Sequence, residues 1–152
     1  IDMHDSLHTP PRVVLCSLED GKGLIPLYEQ PTPTPRARKL QLCAPDTVEI
    51  TTSDATILYG ALYKPDAKLF GPPPYKTLVS VYGGPNVQTV SNTWMNTVDM
   101  RAQYFRSKGI LVWKVTANPR RSFSFLSYAV FKYKLATKGC AVCLTFMDMH
   151  GI

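Results

Sequence analysis

Two short apolar runs constrain the fold of this chain more than any other feature. Lys76-Thr77-Leu78-Val79-Ser80-Val81-Tyr82 is β-branched and apolar and stops abruptly at Gly83-Gly84-Pro85. Ile110-Leu111-Val112-Trp113-Lys114-Val115 has the same character. Between them Trp94, Val98, Ala102 and Phe105 recur at helical spacing, and Gly109 ends the pattern. Near-continuous apolar strands on either side of an amphipathic helix imply a parallel pair covered on both faces, because only a crossover can join parallel neighbours. The segment reads as a βαβ unit of right-handed crossover. Ser91 or Asn92 suits the helix N-cap. Gly109 suits the left-handed residue after the last turn, and Arg106 and Lys108 face the negative end of the helix dipole. The Trp94 stripe is read as core packing.

Two hairpins precede this unit. Residues 12–18 and 24–29 flank Glu19-Asp20-Gly21-Lys22-Gly23, two β-prone runs around a glycine-bearing turn. Pro26 demotes the second run towards a sheet edge, since a prolyl nitrogen cannot donate to a neighbour. Pro31-Thr32-Pro33-Thr34-Pro35, with Arg36 and Arg38, predicts a stiff, extended, solvated linker and a domain boundary. Residues 47–52 and 56–63 around Ser53-Asp54-Ala55 form the second hairpin. Phe70 to Tyr75 is an extended approach to the first apolar strand. The order hairpin, proline-rich entry, βαβ fits an α/β protein.

Composition narrows the class further. With 45% hydrophobic and 18% charged residues in 152, the chain is globular rather than disordered. It starts at Ile1 rather than Met, which suggests that the start of a natural product is missing. No signal segment is visible at the front, and no apolar run approaches the ~20 residues that span a bilayer, so no membrane partner is expected. Cys16 and Cys43 are isolated; Cys140 and Cys143 form a C-x-x-C with only His150 nearby. That is too few ligands for zinc and lacks the helix-opening context of a redox pair. The expectation is free thiols, a cytoplasmic location, and neither metal nor cofactor.

The charge is uneven. Residues 1–99 carry eight Lys/Arg against ten Asp/Glu; residues 100–152 carry nine against Asp148 alone. After Val115, Thr116-Ala117-Asn118-Pro119-Arg120-Arg121 breaks structure, and residues 122–137 place apolar side chains on all sides of any helix drawn through them. This predicts an irregular tail over 116–152. Its basic residues, interleaved with Phe and Tyr, offer one alternative function, a non-catalytic interaction or nucleic-acid-binding protein using the segment 114–138, although no nucleic-acid-binding fold is recognisable in it.

The hairpin Ile57 to Pro65, the approach Gly71-Pro72-Pro73-Pro74-Tyr75, and above all Val81-Tyr82-Gly83-Gly84-Pro85 before a tryptophan-bearing helix resemble the prolyl oligopeptidase family of serine peptidases, in its dipeptidyl peptidase IV branch. Met100 to Lys114 is similar to the equivalent helix and strand of cytosolic-type members. The resemblance spans roughly residues 1–115. It implies a β-propeller joined to an α/β-hydrolase domain. Residues 1–38 would be a remnant of the propeller, its terminal β-hairpin and the proline-rich linker. Residues 39–115 would be the N-terminal part of the hydrolase: opening hairpin, third strand, first helix and fourth strand. Residues 116–152 would be an unrelated tail, out of frame or intron-derived, because the family's Asp or Asn, Arg and glycine-rich turn is replaced after Lys114. The resemblance also implies that the Tyr82 hydroxyl stabilises the oxyanion of acyl transfer. A strand-end tyrosine with its ring in the core is the structural alternative.

The rest of the catalytic apparatus is missing from the sequence. No Gly-x-Ser-x-Gly elbow occurs, so no nucleophile is assigned. His4, His8 and His150 do not follow an acid and a serine in hydrolase order, and the propeller glutamates that hold a substrate's amino group are absent. The chain therefore reads as an inactive piece of a serine-type dipeptidyl peptidase, whose complete form would release N-terminal dipeptides from a peptide substrate. A further expectation is association with full-length relatives through an unpaired strand edge at 76–82 or 110–115.

Overall fold

The computed structural model describes residues 1–29, 35–51, 55, 57–82, 88–116 and 142–146, with residues 36, 37, 81, 82, 116 and 142–146 described by backbone alone. Along the chain come β1 (Asp2–His4), β2 (Arg12–Cys16), β3 (Gly23–Glu29) and α1 (Pro35–Arg38). Next are β4 (Asp46–Thr51), β5 (Ile57–Tyr63), α2 (Ala67–Phe70) and β6 (Lys76–Tyr82). Then follow α3 (Trp94–Thr97), α4 (Met100–Ser107), β7 (Ile110–Thr116) and β8 (Val142–Phe146). The result is a small mixed α/β protein with two sheets and few helices. It divides into one unit of Ile1–Ala44 with Asn92–Asp99, and a second of Pro45–Ser91 with Met100–Ile152.

The first unit holds a three-stranded antiparallel sheet in the order β1-β2-β3. The predicted hairpin is present, and β3 with Pro26 lies at the edge. In its turn, Asp20 accepts from the Lys22 amide at 3.2 Å and pairs with Lys22 Nζ at 3.1 Å. These contacts, the side-chain one foremost, hold the Asp20 carboxyl below the usual carboxylate range.

The second unit is built on a five-stranded sheet in the order β4-β5-β7-β6-β8. β4 and β5 form the second predicted hairpin, antiparallel with Thr51 opposite Ile57. β6 and β7 are parallel, in register from Lys76↔Ile110 to Tyr82↔Thr116. The βαβ expectation is met. β7 also pairs antiparallel with β5, and β8 pairs parallel with β6.

Side-chain alternation then decides the core. Leu58 and Leu62 of β5, Val79 of β6, and Leu111, Trp113 and Val115 of β7 bury on one face, with Val48, Ile50 and Tyr75 packed against them. Ala61, Tyr63 and Val112 bury on the other face with Val90 and Ala102, joined by Leu78 and Phe105. Leu62, Trp113 and Val79 are direct partners across three strands. Both faces of the central strands are covered, so their sequences show little polar alternation.

Several expectations are corrected. The single helix after β6 is two, α3 and α4, interrupted at Val98 and Asp99. Its stripe is divided accordingly: Ala102 and Phe105 join the sheet core, while Trp94 and Val98 belong to the first unit. Neither Ser91 nor Asn92 is the N-cap. Thr93 holds that position in extended backbone without a side-chain capping bond, and the Trp94 amide donates instead to Asp5 Oδ2 at 3.2 Å. The linker is not extended throughout, for Pro35–Arg38 forms a helical turn, proline being pre-set for a first helical position; residues 31–34 lie outside the described residues. The approach to β6 begins with a further helical turn, α2, whose Lys68 amide donates to Asp66 Oδ1 at 2.9 Å.

The tail is not irregular throughout. Val142–Phe146 is a β-branched and apolar run, and it pairs with the outer side of β6. That pairing also removes the expected free edges: β6 lies between β7 and β8, and β7 between β5 and β6. Gly109 takes the left-handed conformation foreseen for it, with φ of 78°.

Candidate functional site

The candidate site is the carboxyl end of the parallel strands. Because β6, β7 and β8 run in one direction, Tyr82, Thr116 and Phe146 end them at the same edge of the sheet. β5 runs the other way, so its first residue, Ile57, starts from that edge too. In open α/β sheets, ligands sit outside the carboxyl ends of the strands, where successive connections diverge. Tyr82 occupies the end of a strand flanked on both sides, a rigid mounting for a side chain. Its backbone is in register with Thr116. Its ring and hydroxyl, like residues 83–87 after it, lie outside the described residues. Two positions earlier, Ser80 Oγ is 3.3 Å from Arg101 Nη2, a donor from α4.

Four of the described serines have hydroxyl partners near them in the chain or on α4. Ser6 Oγ accepts from the His8 and Thr9 amides at 3.2 and 3.0 Å. Ser17 Oγ accepts from the Glu19 amide at 3.1 Å, and Ser107 Oγ donates to the Tyr104 carbonyl at 2.7 Å. With Ser80 on Arg101, none of these four hydroxyls has an imidazole ring among these partners. Ser53, Ser122, Ser124 and Ser127 lie outside the described residues, as do His150 and Cys140. Most of the basic aromatic segment 114–138 does also.

One arrangement was missed in the sequence. His4 Nδ1 and Asp2 Oδ2 are 2.6 Å apart on β1, a carboxylate-oriented imidazole. Residues two apart on a strand share a face, so the spacing was readable, but the strand itself is only three residues long. The pair lines an open groove of about 340 Å³ with Arg12, Val14 and Cys16. The Cys16 thiol donates to the Val14 carbonyl at 3.9 Å, and Arg12 Nε is 3.3 Å from Glu29 Oε1. His4 and Asp2 are half exposed, where solvent screens such pairs strongly. Among the described residues no group of three or more His, Cys, Asp or Glu could hold a metal ion, and no helix is long and apolar enough to cross a membrane.

No family model matches the sequence. Among solved structures, the chain is similar to a provisionally named dipeptidyl aminopeptidase IV from Bacteroides ovatus, with a TM-score of 0.75 and 20% sequence identity. The match takes in 96% of this chain and 23% of that one. At this identity the likeness is one of fold: the chain has the fold of part of a dipeptidyl-aminopeptidase-like protein, and it spans about a quarter of its neighbour's length.

Proposed function

We propose that this chain is a portion of a dipeptidyl-peptidase-like serine peptidase and does not cleave peptides by itself. On this reading the five-stranded sheet is the opening part of an α/β-hydrolase domain, and the β1–β3 sheet is the terminal piece of a β-propeller. Tyr82 would supply the donor that acyl-transfer chemistry needs. A phenolic O–H aimed at the developing oxyanion contributes roughly 100- to 1000-fold in rate when preorganised. The attacking serine, its histidine and its acid are not supplied by any recognisable motif in the sequence. The complete enzyme would take a peptide substrate and release N-terminal dipeptides.

The observation that carries the reading is the placement of Tyr82 at the carboxyl end of an interior parallel strand that follows an antiparallel hairpin. The fold likeness to a dipeptidyl-aminopeptidase-like protein supports it. The test is direct. The purified chain should neither release product from a Gly-Pro amide reporter nor react with a fluorophosphonate probe. A probe adduct mapped to a serine would overturn the inactive-portion reading. In a complete relative that keeps this strand end, replacing the tyrosine that matches Tyr82 with Phe should lower kcat about 100-fold or more. An unchanged kcat would remove the oxyanion role.

A further inference from the structure

Residues 92–99 make an excursion. Val90 before them and Ala102 after them are both buried in the core of the second unit. The eight residues between Ser91 and Met100 group instead with the first unit. Their attachment is specific. The Leu7 amide donates to Asn92 Oδ1 at 3.1 Å, and Thr97 Oγ1 donates to the Leu7 carbonyl at 2.6 Å. Asp5 Oδ2 accepts from the Trp94 amide at 3.2 Å. Leu7 thus gives both of its backbone polar groups to side chains some 90 positions further along the chain. Leu7, Asn96 and Thr97 are all buried here. The receiving loop is itself preorganised: Ser6 Oγ accepts from two amides, and Ser6 and Thr9 exchange backbone hydrogen bonds of 3.0 and 3.3 Å.

We infer that residues 92–98 are a strap, held by Asp5 and Leu7, through which the N-terminal unit sets the conformation of the chain that enters α4. The chain forms no continuous helix here because its polar residues are committed elsewhere. Asn96 and Thr97 would face solvent in an isolated amphipathic helix; buried in the first unit, Thr97 exchanges water for the Leu7 carbonyl. Asp5 supplies from a distance the cap that Thr93 does not. The consequence for chemistry rests on the reading of Tyr82 given above: further along from that strand the chain passes from Val90, buried in the core of the second unit, into residues held by Asp5 and Leu7. Asp5, Leu7 and Thr97 are then positioning residues, acting through the strap they hold.

Hydrogen exchange on the full chain tests the strap without reference to peptidase activity. Replacing Thr97→Val keeps the shape and removes the donor, leaving the Leu7 carbonyl unpaired. Exchange in peptides covering 5–9 and 88–98 should then accelerate about tenfold or more, with 57–63 and 110–116 unchanged. Thr97→Ser should restore the original rates, and Asp5→Asn, at a less buried position, should reproduce part of the effect. Acceleration confined to 5–9, or spread evenly over the β5–β7 peptides, would overturn the inference. Failure of the strap would leave the probe and reporter results untouched, so the two readings fall separately.

Discussion

Gly60 shows how much one absent methyl group can matter. It sits in β5 between Val48 of β4 and Val115 of β7. A Cβ there would lie 2.7 Å from Trp113 Nε1, 3.1 Å from Val48 Cγ2 and 3.3 Å from the Lys114 carbonyl oxygen. Trp113 is 1% exposed and packed among Leu58, Leu62 and Val79, so the indole has nowhere to move. Gly60→Ala should therefore destabilise the sheet by about 1–3 kcal/mol, the usual range for overpacking a filled core, read as a lower denaturant midpoint at unchanged slope. Ile57→Ala, at a half-exposed position of the same strand, should change the midpoint far less.

Among the elements, the end of α4 has two separable terms. Gly109 has φ of 78°, and a Cβ on it would come within 2.7 Å of the Phe70 ring at the end of α2. Gly109→Ala should cost about 1–2 kcal/mol for the left-handed backbone, plus a contact term that Phe70, 42% exposed, can partly relieve by moving. A double-mutant cycle with Phe70→Ala separates the two. If Phe70→Ala rescued Gly109→Ala completely, the backbone argument would be wrong. The glycine at this turn was legible in the sequence, as were both hairpins and the parallel pair, because each is written in local spacing and turn chemistry. The division of the helix into α3 and α4 was not legible. There Asp5 and Leu7 bond to residues 92–97, and no local pattern connects the two stretches. β8 was missed for a related reason: a five-residue run carries little periodicity, and its strand identity depends on the pairing surface that β6 offers it.

For the whole molecule, burial is distributed unequally. Among the described residues, Leu7 is the only buried hydrophobic residue of the first unit, against eleven in the second. Apolar area removed from water scales the stabilisation, so the β1–β3 sheet should open well before the five-stranded one. Hydrogen exchange should protect β5, β6 and β7 by several orders of magnitude more than β2 and β3; equal protection would contradict this ordering. The candidate site divides in the same way between legible and hidden. Tyr82 was singled out through its resemblance to a family motif, and strand periodicity alone would have left it an ordinary core tyrosine. The sheet order, which puts its strand in the interior, depends on long-range pairing that a sequence does not display.

The seven residues of β3 are all exposed, and Leu24, Ile25, Leu27 and Tyr28 are each more than half so. Such a ribbon is greasy on both sides and unpaired along its outer margin among the described residues, with Pro26 its one built-in deterrent to a newcomer. In solution such a margin is a docking surface for a second strand, so mixing the purified chain with itself at rising concentration should reveal self-association through β3, which a charged residue in place of Ile25 should weaken.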